Sequence, residues 1–207
     1  MFGLIKKDLK SMSQQGVAVF TLMVFFGLLS ILGNQDMSSV FMGIVSMFSV
    51  LLPITAISYD EKAHWDRYAL TMPVSRNMLV LSKYLLSVFV SILCGILTMA
   101  IGLISKAFPL NEALLMSWIM VGVALFLSAI TYPLYFKLGV EKARYVFIAT
   151  FMVPSILIML VNYLNISLPS INEANLEAML PLLPVAALAL FGASAFLSCR
   201  IYAKKEF

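Results

Sequence analysis

The stretch that decides the fold is YLLSVFVSILCGILTMAIGLIS, from Tyr84 to Ser105, which contains no charged residue. A helix rises about 1.5 Å per residue, so about 20 apolar residues cross a hydrocarbon layer of about 30 Å. Five more uncharged stretches follow the same pattern: residues 11–35, 37–59, 113–136, 145–172 and 178–199. The six stretches hold 144 of the 207 residues, so the sequence predicts a protein built almost entirely of membrane-spanning helices.

The amino-acid composition supports this prediction. Apolar residues make up 62% of the chain and charged residues 12%, which is about half the charged share of a typical soluble protein. The mean hydropathy is +0.99. About 60 residues remain for loops and termini, too few for a separate soluble domain, so we predict one membrane domain over residues 1–207.

We therefore expect an all-α polytopic membrane protein with six transmembrane helices. The predicted spans lie at approximately residues 16–34, 37–59, 79–105, 113–136, 145–165 and 179–201. Basic residues in short loops stay on the cytoplasmic side of a membrane. With the N-terminus inside, the cytoplasmic segments hold 13 of the 14 basic residues, and the outer segments hold only Lys106. Both termini are therefore predicted to be cytoplasmic, and the basic excess indicates contact with lipid headgroups, not with nucleic acid.

The segment before the first span is amphipathic. Its apolar residues recur at three- and four-residue spacing: Phe2, Ile5, Leu9 and Met12. Its lysines take the other side: Lys6, Lys7 and Lys10. This pattern favours a short helix that lies in the cytoplasmic interface, with a frayed basic tail as the alternative. The apolar run from Val17 to Leu32 is long for a signal peptide and has no A-x-A site, so we expect a retained span.

The most polar link joins predicted spans two and three and reads YDEKAHWDRYALTMPVSR, from Tyr59 to Arg76. We call residues 60–76 the elbow. Its spacing predicts a short helix over residues 60–70, which Pro73 should end because proline disfavours helix in the residue before it. Ser75 is a suitable cap for the helix of span three.

Two interpretations of the elbow are equally favoured by its residues alone. A mixed apolar and charged surface of this kind suits the docking of a second protein. The alternative is an ordinary interfacial loop, in which Trp65 and Tyr68 anchor the chain at the level of the lipid headgroups.

The elbow resembles that of the ABC-2 type permeases, and more narrowly that of the small six-span subunits of bacterial ABC exporters. The resemblance lies in three short runs and three single positions: Asp60-Glu61-Lys62, then Trp65, Arg67 and Tyr68, then Leu70-Thr71-Met72-Pro73-Val74-Ser75-Arg76, and finally Lys83-Tyr84. Met72 stands where leucine is commoner in that family. The motif covers about 25 residues, and the six-span plan extends the resemblance over the whole chain.

The resemblance implies that two permease subunits, identical or homologous, pair in the bacterial plasma membrane. Each subunit would sit on a cytoplasmic ABC ATPase, and the elbow would act as the coupling helix. The residues that the resemblance places in this contact, or in its support, are Glu61, Trp65, Arg67, Tyr68, Thr71, Met72, Pro73 and Arg76.

Other chemistries find little support in the sequence. A phosphate-binding loop needs a Gly-Lys pair, and the chain has none, so ATP and magnesium are expected on a separate ATPase and no cofactor is expected in this chain. None of the six uncharged stretches offers the ionisable residue that an ion-driven carrier needs near mid-membrane. Lys83 and Lys106 bracket the third span and can reach the interfaces. His64 has no His or Cys neighbour, so neither a metal site nor enzymatic catalysis is expected.

Span two carries small and hydroxyl-bearing residues on roughly one helical face: Ser39, Gly43, Ser46 and Ser49. Such a face lines a hydrated cavity or contacts another helix, with simple packing as the alternative. We predict the transmembrane subunit of an ATP-driven exporter for hydrophobic or amphipathic cargo, with peptides among the candidates. The alternatives are a non-transporting membrane anchor or immunity-type subunit and, less favoured, an ion-coupled secondary transporter.

Overall fold

The structure is a computed structural model that describes residues 2–33, 35–69, 71–72, 74–105, 108–164 and 180–204. Within these ranges the secondary structure is helical and contains no strand, which confirms the all-α prediction. The elements in chain order are α1 (Phe2–Ser11), α2 (Ser13–Leu32), α3 (Gln35–Lys62), α4 (Trp65–Ala69), α5 (Arg76–Ile104), α6 (Leu110–Leu138), α7 (Val140–Tyr163), a 3-10 turn (Leu180–Leu182) and α8 (Leu183–Ala203).

Four of the described helices are long and apolar enough to cross a membrane. They are Val40–Lys62 within α3, α5, α6, and Leu180–Ala203, which joins the 3-10 turn to α8. The segments Gly3–Ser11 and Gly16–Leu32 meet at an angle of 69° and make a fifth span if they are counted as one. The described chain therefore contains four or five candidate spans. The count of six stays a prediction, as does the interfacial position of α1.

Helix α6 is the centre of the bundle, because it packs against α3, α5, α7 and, most extensively, α8. Buried side chains form two clusters. The larger one joins α3 and α5 to α6 and α8 around the fully buried Tyr132, and the smaller one joins α2, α3 and α5 around Val45 and Leu86.

Hydroxyl groups join the helices of the larger cluster. The Tyr84 hydroxyl of α5 lies 2.9 Å from the Ser194 hydroxyl and 2.7 Å from the Ser198 hydroxyl, both on α8. Ser194 in turn donates a hydrogen bond of 2.6 Å to the carbonyl oxygen of Ala129 on α6. Interhelical hydrogen bonds contribute to helix association in a bilayer, where lipid competes with purely apolar contacts. These bonds therefore tie α5, α6 and α8 together.

Helices α6 and α8 approach each other closely at Gly122. A Cβ atom at this position would lie only 2.7 Å from the Cα atom of Pro184. Small residues allow such close backbone approach between membrane helices. The absence of a side chain at Gly122 is therefore a requirement of the packing between these two helices.

We expect Gly122→Ala to lower the thermal unfolding midpoint of the detergent-solubilised protein. Its methyl group has to push against the backbone of α8, and overpacking of this kind costs about 1–3 kcal/mol. Gly192→Ala is the matched control, because nothing lies within 4 Å of a Cβ at that position of α8. Equal midpoints for the two variants would contradict the close contact.

Candidate functional site

The elbow begins as a continuation of α3. Helix α3 runs on to Lys62, so the predicted separate helix over residues 60–70 is wrong in its start, and α4 covers only Trp65–Ala69. Between the two helices His64 has a φ of +49°, in the left-handed region that interrupts a right-handed helix. The local sequence signals could not show this break, because they fit a helix on both sides of it.

The predicted cap of α5 is confirmed. The Ser75 side chain accepts a hydrogen bond of 3.3 Å from the N–H of Met78, and α5 begins at Arg76. Such a cap satisfies one of the N–H groups that a helix start leaves without a partner. The predicted helix-breaker Pro73 lies outside the described residues.

Four charged side chains at the start of the elbow and on α1 and α5 form a closed ion-pair network: Lys7, Asp8, Asp60 and Lys83. The Lys83 ammonium on α5 lies 2.7 Å from a carboxylate oxygen of Asp8 on α1 and 2.5 Å from one of Asp60 on α3. Lys7 closes the ring at 3.0 Å from Asp8 and 2.5 Å from Asp60. Asp8, Lys83 and Asp60 are only 1%, 7% and 8% exposed.

This network holds three helices in register. Two ammonium groups and two carboxylates make its formal charge zero. A buried charge that loses its partner costs several kcal/mol, so each of α1, α3 and α5 is held by the charges of the other two. The network is therefore the polar junction between the N-terminal helix and the elbow.

Two buried charged residues, Asp8 and Lys83, are not evident from the sequence. The position of Lys83 at the membrane interface stays a prediction, and its ammonium is buried against two carboxylates. On α1, Asp8 is buried, whereas Leu9 of the predicted apolar face is 43% exposed. The available signals were a single acid within the basic segment and a single lysine ahead of an uncharged span.

Trp65 connects α4 to the network. The Lys7 ammonium lies 4.3 Å from the centre of the Trp65 ring, in a cation–π contact. The ring of Tyr68, three residues further along α4, lies 5.4 Å from the Trp65 ring. A small cavity of about 30 Å³ lies between Trp65, Asp60 and Lys83, and this volume is enough for one water molecule.

The elbow also bonds to the ends of α7 and α8. A carboxylate oxygen of Glu61 accepts a hydrogen bond of 2.6 Å from the N–H of Val140, the first residue of α7. Arg76 donates a bond of 2.8 Å to the carbonyl oxygen of Ala203, the last residue of α8. These contacts bring α1, the elbow, the α6–α7 junction and the end of α8 to one end of the bundle, which we call the elbow end.

The predicted elbow residues fall into two groups. Glu61, Trp65 and Arg76 bond to other parts of the bundle, as described above. Tyr68 and Met72 instead face outward, at 57% and 38% exposure. Thr71 is also exposed, and its hydroxyl donates to the carbonyl oxygen of Tyr68 at 2.8 Å. The side chain of Arg67, like Pro73, lies outside the described part of the chain.

The small and hydroxyl-bearing face predicted for span two divides between the core and the surface. Ser49 is buried, at 2% exposure. Gly43 is exposed, with nothing within 4 Å of a Cβ at its position, and Ser46 donates to the Gly43 carbonyl oxygen at 2.7 Å. The side chain of Ser39 lies outside the described residues. A role for this face as a cavity wall or helix interface stays a prediction.

One protein family matches the chain over nearly its whole length. The sequence model of the family described as "ABC-2 family transporter protein" matches residues 3–203, from α1 to the end of α8. No curated protein sequence matches the chain.

We expect Lys83→Met to destabilise the protein by about 3–5 kcal/mol, because it leaves two largely buried carboxylates with a single lysine. The double variant Asp8→Leu with Lys83→Met removes one charge of each sign and keeps the Lys7–Asp60 pair. Denaturant unfolding in detergent should therefore show that the double variant is more stable than Lys83→Met alone. Lys10→Met, at an exposed lysine of α1, is the control, and a Lys83→Met variant as stable as this control would refute the structural role of the network.

Proposed function

Because the chain belongs to the ABC-2 family of transporter proteins, we propose that it is the transmembrane subunit of an ATP-driven exporter in the bacterial plasma membrane. Family membership makes it the multi-pass membrane component of an ABC transporter and implies an ABC ATPase as its partner. In this proposal the elbow is the coupling element, and ATP and magnesium bind to the ATPase. A second permease subunit, identical or homologous, completes the complex.

The observation that carries the proposal is the two-sided construction of the elbow. Its outer side exposes Tyr68 and Met72, which offer apolar contact area to a partner. Its inner side is bonded to the bundle through Trp65, Glu61 and Arg76. An element built in this way receives a force on one side and passes it to several helices on the other.

Coupling requires that the elbow bind two states of the ATPase with different affinity. Closure of the ATPase on ATP would then displace α4. Trp65 and the ion-pair network would carry this displacement to α1, α3 and α5, because a network of buried charges resists separation of its members. The spans would tilt against one another and move cargo outward.

The elbow end would face the cytoplasm, because it collects the basic segments of the chain. The cargo in this proposal is hydrophobic or amphipathic, with peptides as candidates, since the spans offer few charges to a polar solute. Membrane lipids would surround the exposed apolar side chains of the outer helices.

An ion-coupled carrier is less well supported. Buried ionisable residues in a membrane protein indicate function by default, and Lys83 with its two carboxylates meets that description. However, Lys83 lies only two turns into α5 and its charge is matched within the network. A non-transporting anchor would share the elbow but would not couple ATP hydrolysis to movement of cargo.

We expect the double variant Tyr68→Ala with Met72→Ala to bind the cognate ATPase about tenfold more weakly or worse, since loss of a central aromatic contact commonly costs more than 1 kcal/mol. Stimulation of ATP hydrolysis by the permease in liposomes should fall in parallel. Both side chains are exposed, so thermal stability should be unchanged.

The matched control is Tyr163→Ala with Met159→Ala, which removes the same two side-chain types from exposed positions of α7 away from the elbow end. This variant should behave as wild type. Unchanged ATPase binding in the elbow variant would exclude the elbow as the coupling element, and cargo movement without any ATPase would exclude the proposed function itself.

A further inference from the structure

We infer that Glu61 is a positioning residue that makes α7 follow the elbow, an inference that rests on the proposed function. The resemblance to ABC-2 type permeases placed Glu61 in the contact with the ATPase or in its support. In the structure its carboxylate accepts the hydrogen bond from the first residue of α7. The proposed role is therefore to pass the movement of the elbow on to a second helix within the same chain.

The junction between α6 and α7 consists of one residue. Helix α6 ends at Leu138, helix α7 begins at Val140, and Gly139 between them has a φ of +79°. This conformation favours glycine, because a side chain would be strained there. The two long helices are thus linked by a single glycine, and the backbone conformation of this glycine sets the angle between them.

The first N–H groups of a helix have no partner within the helix. Gly139 has no side chain to cap them, and the cap comes instead from 79 residues earlier, where Glu61 accepts the hydrogen bond of Val140. A carboxylate at this position gains both from the charge-assisted bond and from the dipole of the helix. The start of α7 is therefore bonded to the last turn of α3.

The fit between Glu61 and the joint is close. A Cβ atom at position 139 would lie 2.7 Å from the other carboxylate oxygen of Glu61, so a side chain there would require the Glu61 carboxylate to shift. Glu61 is also the neighbour of Asp60, whose carboxylate belongs to the ion-pair network. Movement of the α3 end is thus shared between the network and the start of α7.

The movement of the helices can be measured with pairs of spin labels in the complex with the cognate ATPase, reconstituted in liposomes. Cys94→Ala and Cys199→Ala provide the background without native cysteine. One pair, Ala63→Cys with Leu114→Cys, reports the elbow against α6. A second pair, Tyr163→Cys with Leu114→Cys, reports the far end of α7 against α6, and all three labelled positions are exposed.

With Glu61 and Gly139 intact in the cysteine-free background, vanadate-trapped nucleotide should change the distance between the labels in both pairs. With Glu61→Ala, the elbow pair should still respond, whereas the response of the α7 pair should be lost. Glu61→Gln keeps a carbonyl oxygen that can accept the Val140 hydrogen bond, so it should retain the α7 response. The control Glu141→Gln removes an exposed carboxylate one residue beyond Val140 and should leave both responses intact.

Gly139→Ala disturbs the same joint without a change of Glu61, because its methyl group crowds the Glu61 carboxylate and is strained at the positive φ. It should also lose the α7 response and keep the elbow response, and the elbow response in the same sample shows that the complex is folded. An α7 response that persists in both Glu61→Ala and Gly139→Ala would overturn this inference while the proposed function stands. If the distance in the elbow pair does not change with nucleotide when Glu61 and Gly139 are intact, the proposed function is overturned and, with it, the inference.

Discussion

A charge that is buried away from water has to be paired, and the architecture of the elbow end depends on this constraint. Lys83 enters the bundle from α5 and can stay charged there because Asp8 and Asp60 arrive from two other helices. Apolar packing alone specifies the position of a helix poorly in lipid, because the lipid tails are equally apolar. The ion pairs supply the specificity: they fix which end of α1 docks, on which helices and at which level.

The same end of the bundle illustrates how a surface element can be rigid without a large core of its own. Helix α4 has only five residues, too few to be stable by itself. It is held by the contact of Trp65 with Lys7 and by the burial of Ala69 in the larger cluster. Its outward side chain Tyr68 is free to contact a partner, whereas its inward side chain Trp65 is held by the bundle.

The sequence was sufficient where the cause of the structure is local. Uncharged stretches predicted the long helices, Ser75 predicted the start of α5, and the motif of the elbow predicted the family that the match over residues 3–203 now shows. It was insufficient where partners are distant along the chain. Lys83 is 75 residues from Asp8, and Glu61 is 79 residues from Val140. A lone lysine beside an apolar stretch is compatible with solvent or with a buried pair, and only the three-dimensional arrangement decides between them.

The zero formal charge of the four-residue network has an electrical consequence. Carrying one elementary charge across a potential of 100 mV involves about 2.3 kcal/mol, but carrying a balanced set of ammonium groups and carboxylates together involves almost none. A displacement of Lys7, Asp8, Asp60 and Lys83 together along the membrane normal would therefore carry no net formal charge. For such a displacement the voltage across the membrane would do almost no work.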